Sequence, residues 1–170
     1  MELFAAIASR SSAARLTYPG PTSEHLDRIL DAAGRAPDHG RLRPWHIVVL
    51  DEASKERFAT AAADAKRARV PAMSDEQRAA ERDKLLRSPT IVVVGCRVRE
   101  HPKIPQIEQV IAVAAAAQNL FLAAHDLGYG VMWKTGPAAY DAAVKAVVGL
   151  EAHDHIVAIM HLGTRAATPT

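Results

Sequence analysis

The segment Gln106–Asp126, QIEQVIAVAAAAQNLFLAAHD, constrains this chain more than any other, because it reads as one long helix that is apolar on nearly every face. Such a helix has no solvent side. It must lie in a core or against a partner chain. Small residues at Ala112 and Ala114–Ala117 let another helix approach it closely. The apolar run from Val110 to Ala124 is cut by Gln118 and Asn119, so it reads as too short and too interrupted to span a bilayer. The rest of the chain is expected to be arranged around this helix.

What surrounds it is legible in outline. A short amphipathic helix is expected at residues 2–9. After a loop at Thr17–Pro21, a second helix is capped by Thr22 or Ser23 and carries Leu26, Ile29, Leu30 and Ala33 on one face. Gly34 and Pro37 close it. His46–Asp51 and Thr90–Cys96 (TIVVVGC) are β-branched runs that read as buried strands. Residues 53–69 read as helix, and Ser74–Gln77 has the form of a capping box, which predicts a further helix over about 75–87. This pair reads as a solvated helical layer over the core. Val131–Trp133 and residues 155–162 complete four strands. A helix over about 137–147 separates them, with Pro137 where it could begin. Gly163-Thr164-Arg165 ends the last strand, and the tail to Thr170 is expected to be loose. The order predicts an α+β domain, a small central sheet enclosed by helices, as one unit over residues 1–170.

Composition narrows the function. The chain has 170 residues, enough for one domain with a substantial core. Its 21 Lys and Arg against 19 Asp and Glu give a net charge of +2 without a basic stripe, which argues against a nucleic-acid partner. Cys96 is the one cysteine, so no intrachain disulfide forms, in keeping with a reducing compartment. The start, MELFAAIASR, lacks the basic region of a signal peptide, and the chain reads as cytoplasmic. Dinucleotide, P-loop, zinc-protease, CxxC and serine-hydrolase signatures are all missing. His153 and His155 lie close together but imply no third metal ligand, so no metal is expected. Cys96, ending an apolar strand, reads as a small hydrophobe.

Four clusters carry potential chemistry. Arg10-Ser11-Ser12, with Arg15, offers a guanidinium, hydroxyls and backbone N–H groups suited to a phosphate. Arg35–Trp45 (RAPDHGRLRPW) reads equally as a structured binding loop or as an ordinary helix-to-strand crossover. Gly128–Gly136 (GYGVMWKTG) has glycines that let backbone approach a flat ligand, with Trp133 either a ring wall or core. Arg165, past the end of a strand, could complete a phosphate site.

An Arg-x-Ser near residue 10, a helix ending in R-A-P, a P-W-x-x-V-V strand, an A-x-Q-N-L-x-L-A-A helix, a G-x-G-x-x-W turn and a final L-G-T occur here in that order. Together they resemble the nitroreductase superfamily. The form A-P-D-H-x-x-x-x-P-W and the short length are similar to its minimal, YdjA-like branch. The resemblance spans nearly the whole chain and is weakest at about 55–88.

The resemblance implies an intertwined homodimer with FMN in a groove between protomers. Arg10, Ser11 and Ser12 would hold the phosphate, with Arg165 closing on it. Ser11 stands where many relatives carry a second arginine, which makes this phosphate site less positive. Arg35 and His39 would reach the same flavin from the partner subunit, and Val131, Met132 and Trp133 would line its ring. The implied reaction is ping-pong hydride transfer from NADPH or NADH through flavin N5 to a nitroaromatic, quinone or related small acceptor. The flavin carries the chemistry, so no dedicated catalytic side chain is needed. A flavin-binding or flavin-modifying protein of the same fold, without such turnover, is the alternative. Arg67, Arg69 and Arg78 are candidates for a lid setting donor and acceptor preference.

Overall fold

The computed structural model describes residues 1–166; the expected loose tail lies largely beyond them. Among the described residues the elements run α1 Leu3–Ser9, β1 Leu16–Thr17, α2 Ser23–Ala33, β2 Trp45–Val49, α3 Glu52–Arg69, α4 Asp75–Leu86, β3 Thr90–Cys96, α5 Gln106–Asp126, β4 Gly130–Lys134, α6 Ala142–Val147 and β5 His155–Arg165. Short 3₁₀ turns lie at His39–Arg41 and Pro137–Tyr140.

Every strand pairing is antiparallel. β5 lies between β4 on one edge and β3 on the other, β2 flanks β3, and β1 pairs with β5 where β3 stops. β3 is buried on both faces, which is why its sequence is continuously apolar rather than alternating. Val92 and Val94 turn toward one core with α2 and α5, while Ile91 and Val93 turn toward a second core with α3 and α6. This is the expected small sheet between helices.

α5 covers the first face. Gln109, Ala112, Val113, Ala116, Ala117, Leu120, Phe121 and Ala124 form its buried stripe. Its buried polar groups are satisfied: Gln109 accepts from Arg99 N–H and donates to the Arg99 carbonyl, and Asn119 donates to the Ala32 carbonyl of α2. At 21 residues α5 is long enough to cross a bilayer, contrary to the expectation from its interrupted apolar run. Its buried stripe instead makes it a core helix.

α3 covers the second face with Phe58, Ala62 and Ala65, and α4, which buries no residue, lies over α3. Ser74 and Gln77 make both bonds of the expected capping box. Lys66–Glu81 at 2.9 Å, Arg67–Asp75 at 2.5 Å and the Arg78–Asp64 pair join the two helices and their connection. Individually such exposed pairs contribute little. Lys55 is buried, and its ammonium donates to Glu52 and to the Ser88 carbonyl, tying the start of α3 to the chain just before β3.

Three expectations change. The loop read at Thr17–Pro21 overlaps a fifth strand, β1, whose two residues pair with Thr164 and Arg165. That pairing extends β5 to Arg165. The expected helix at 137–147 is divided, because the Asp141 carboxylate accepts from Ala143 and Val144 N–H and starts α6 anew. Replacing Phe58, wholly buried between α3 and the sheet, by alanine should cost about 3–5 kcal/mol in equilibrium denaturation.

Candidate functional site

The N-terminal segment reaches the sheet edge through α1. The α-amino group pairs with Asp126 at 2.6 Å and Ser9 Oγ lies 2.9 Å from His125 Nε2, so α1 is seated on the end of α5. Arg10 caps α1, and its guanidinium lies 4.9 Å above the Phe121 ring of α5. A cation over a ring face keeps its in-plane N–H groups free for other partners. Ser12 then bridges Val131, with Ala13 N–H donating to the Val131 carbonyl at 2.8 Å. Arg165 donates to the Ser11 carbonyl at 2.9 Å. Arg10, Ser11, Ser12, Val131 and Arg165, far apart in sequence, are thereby gathered at one corner of the sheet.

The chain then crosses the sheet between β4 and β1. Gly130 permits that crossing: a Cβ there would stand 2.7 Å from Leu16 and 3.0 Å from Ala13. Beneath the crossing lies a groove of about 650 Å³ lined by Arg15, Lys84, Arg87, Ser88, Met132, Lys134 and His161, among others. Lys84 pairs with Glu81. Arg15, Arg87 and Lys134 make no ion pair among the described residues.

Strand alternation separates the three residues expected to line a ring. Met132 faces the groove. Val131 turns the other way and is buried in the first core. Trp133 also packs against that core, and its indole N–H donates to the Val157 carbonyl. Lys134, on the same face as Met132, was not anticipated. Nor were Lys84, Arg87 and Ser88, which reach the groove because α4 ends beside the start of β3. No local motif marks them.

Arg35 and His39 lie elsewhere. Arg35 is exposed just past α2. His39 Nδ1 lies 2.5 Å from Glu108 Oε2, at the start of α5, whereas Arg10 sits over Phe121 near its end. At about 1.5 Å per residue those two points of α5 are roughly 20 Å apart. The loop that carries His39 is held by its own contacts. Arg41 and Arg43 adopt positive φ of 56° and 46°. Asp38 accepts from Arg43 N–H, and Arg99 donates to the Leu42 carbonyl.

Two buried groups differ in reactivity: Cys96, at the end of β3 away from the groove, and His161, in the groove's lining. Burial, with a smaller contribution from Asp154, pushes the Cys96 thiol up to about 11, so it is inert as a nucleophile. His161 is 1% exposed, and Ser88 Oγ lies 2.6 Å from its Nδ1. Burial, reinforced by the Lys134 charge, lowers its pKa to about 4, so the ring is neutral at pH 7. Its Nε2 has no hydrogen-bond partner among the described residues. No cluster of His, Cys, Asp and Glu among the described residues could hold a metal ion.

A family model described as the nitroreductase family matches residues 7–164. YdjA of Escherichia coli (strain K12), which carries a provisional NAD(P)H nitroreductase name, is 33% identical over 165 residues, covering 96% of this chain and 88% of that protein. A Haemophilus influenzae protein with the same provisional name is 31% identical over 166 residues, covering 96% and 89%. Among solved structures, a nitroreductase-like family protein from Bacillus cereus superposes with a TM-score of 0.80 at 27% identity, covering 100% of this chain and 89% of that one. A nitroreductase with bound FMN from Bacteroides fragilis gives 0.75 at 23% identity, covering 100% and 92%, and shares the fold.

The neutral His161 generates a pH dependence of stability. An unfolded histidine takes up a proton near 6.5, whereas folded His161 does so only near 4. Between those values the unfolded state binds more protons, so stability falls as pH drops from 6.5 toward 4. His161→Phe removes this contribution. Its melting temperature relative to the parent protein should therefore rise as the pH is lowered from 7 to 4.5.

Proposed function

The chain belongs to the nitroreductase family, and from that premise we propose that it is a homodimeric, FMN-dependent NAD(P)H oxidoreductase acting on small electron acceptors. The observation that carries this reading is the corner where Arg10, Ser11, Ser12 and Arg165 converge beside a groove rich in unpaired cations.

The donor set suits a flavin mononucleotide. The Arg10 guanidinium, over Phe121, makes no hydrogen bond or ion pair among the described residues, Ser11 and Ser12 add exposed hydroxyls and backbone, and Arg165 is fixed on the Ser11 carbonyl. A phosphate dianion is well matched by such charge-assisted donors. The adjoining groove, of about 650 Å³, falls within the usual range for cofactor sites. When bound, FMN supplies hydride chemistry at N5, accepting from NADH or NADPH and delivering in a second half-reaction to a nitroaromatic, quinone or related acceptor. Arg15, Arg87 and Lys134 place positive charge around a ligand that gains negative charge on reduction. Met132 excludes water from one side of the groove.

The dimer reading rests on apolar surface and on reach. Phe4 of α1 is 85% exposed and Ile111 of α5 is 59% exposed, with Leu3, Ile7 and Ile107 also uncovered. Such surface suits a two-fold interface. His39 stands roughly 20 Å along α5 from Arg10 of its own chain. In a two-fold dimer Arg35 and His39 of the partner subunit can instead approach the groove from across the interface.

The purified protein should be yellow and release about one FMN per protomer. Its absorbance should bleach with NADH or NADPH under anaerobic conditions. A colourless protein that takes up no FMN overturns the reading. Arg10→Ala should weaken FMN binding about 10- to 100-fold, the loss of one charge-assisted contact, with little change in melting temperature. Ile111→Asp should shift the protein from dimer to monomer in sedimentation and lower its flavin content together with its mass.

A further inference from the structure

The second face of the sheet is apolar where it meets α3 and α6, and polar at one inward-facing position of β5. Ile159 and His161 both turn toward that face; Ile159 packs in the second core, and His161 stands where the core gives way to the groove. Its neighbours across the strands are Ile91 of β3 and Met132 of β4, both apolar. An imidazole in such a row needs hydrogen bonds on both nitrogens. Only Nδ1 has one. Nε2 is the single buried side-chain nitrogen or oxygen without a partner among the described residues.

Ser88 is what fixes the ring. Its backbone N–H donates to the Leu85 carbonyl and its own carbonyl accepts from the buried Lys55 ammonium. The hydroxyl therefore comes from a position anchored at both backbone groups, with His161 Nδ1 as its partner at 2.6 Å. When the Ser88 hydroxyl donates to Nδ1, the proton of the neutral ring resides on Nε2. His161 then brings a neutral N–H donor to the lining of the groove, which also includes Arg15, Arg87 and Lys134. A ligand edge rich in carbonyl oxygens complements that set.

We propose that His161 donates through Nε2 to the carbonyl-bearing edge of the flavin ring, with Ser88 setting its tautomer. This assignment rests on the flavin reading above. It makes His161 a cofactor-contacting residue and Ser88 a positioning residue, and it concerns the ring rather than the phosphate.

The test uses full-length protein stripped of flavin, titrated with FMN and with lumiflavin, which has the ring without the phosphate, by flavin fluorescence. His161→Phe should weaken both ligands by the same factor, about fivefold for one hydrogen bond. Arg10→Ala should weaken FMN alone. His161→Gln, which keeps an N–H donor, should recover part of the loss. Ser88→Ala, which frees the tautomer, should weaken lumiflavin about twofold. The apoprotein of His161→Phe should melt no lower than the parent, since an unpartnered buried nitrogen is removed. If the parent binds FMN and His161→Phe binds both flavins as tightly, the proposal is overturned while the flavin reading stands. If the parent binds neither flavin, both fall. Should His161→Phe fail to fold, unchanged lumiflavin affinity in Ser88→Ala overturns the proposal by itself.

Discussion

The packing of α5 against the sheet is the contact on which the rest of the molecule depends. One stripe of this helix fills the first core against Val92, Val94 and Met160, and α2 closes over its flank. Gln109 and Asn119 do not weaken that burial, because each reaches a fixed backbone partner. Gln109 binds the chain leaving β3, and Asn119 binds the end of α2. α5 therefore sets where the loop after β3, the end of α2 and the seat of α1 lie. Arg10 over Phe121 and His39 beside Glu108 are both positioned by this one element.

Much of this was legible because it is local or periodic. The apolar strands, the long helix and the capping box at Ser74 each depend on residues close in sequence, and they appear within a residue or two of expectation, except that β5 runs three residues further, to Arg165. β1 was missed because two residues carry no period; their pairing with Thr164 and Arg165 is decided by a chain crossing made possible at Gly130. The break in the helix after Pro137 was missed because Asp141, as a cap, outweighs the helix propensity of the alanines around it. Arg10, Ser11, Ser12 and Arg165, which the resemblance implies as phosphate ligands and which are proposed above for that role, are brought near one another by the fold. The groove was not anticipated, since Lys84, Arg87, Lys134 and His161 come from three separate elements.

The groove also shows how little a net charge says about a site. A surplus of +2 over the chain is small, yet Arg15, Arg87 and Lys134 line one depression and make no ion pair among the described residues. Meanwhile the basic residues of the α3–α4 layer are largely consumed in their own pairs. Lys66 and Lys84 flank Glu81, and Arg78 holds Asp64, keeping both carboxyls below their ordinary range. Of the three arginines considered for a lid, Arg67 and Arg78 are committed to that layer, whereas Arg69 makes no ion pair among the described residues.

The separation between Arg10 and His39 along α5 has a further consequence. In a two-fold assembly each α5 would serve two flavins at once, its end supporting one through Arg10 and its start supporting the other through His39. The helix then acts as a spacer of fixed gauge. Adding or removing one residue within it would rotate one end by about 100° relative to the other and put both half-sites out of phase. The connection between α3 and α4 carries no such duty. Lineages of this fold should therefore vary freely in the length of that connection while holding the length of α5 constant.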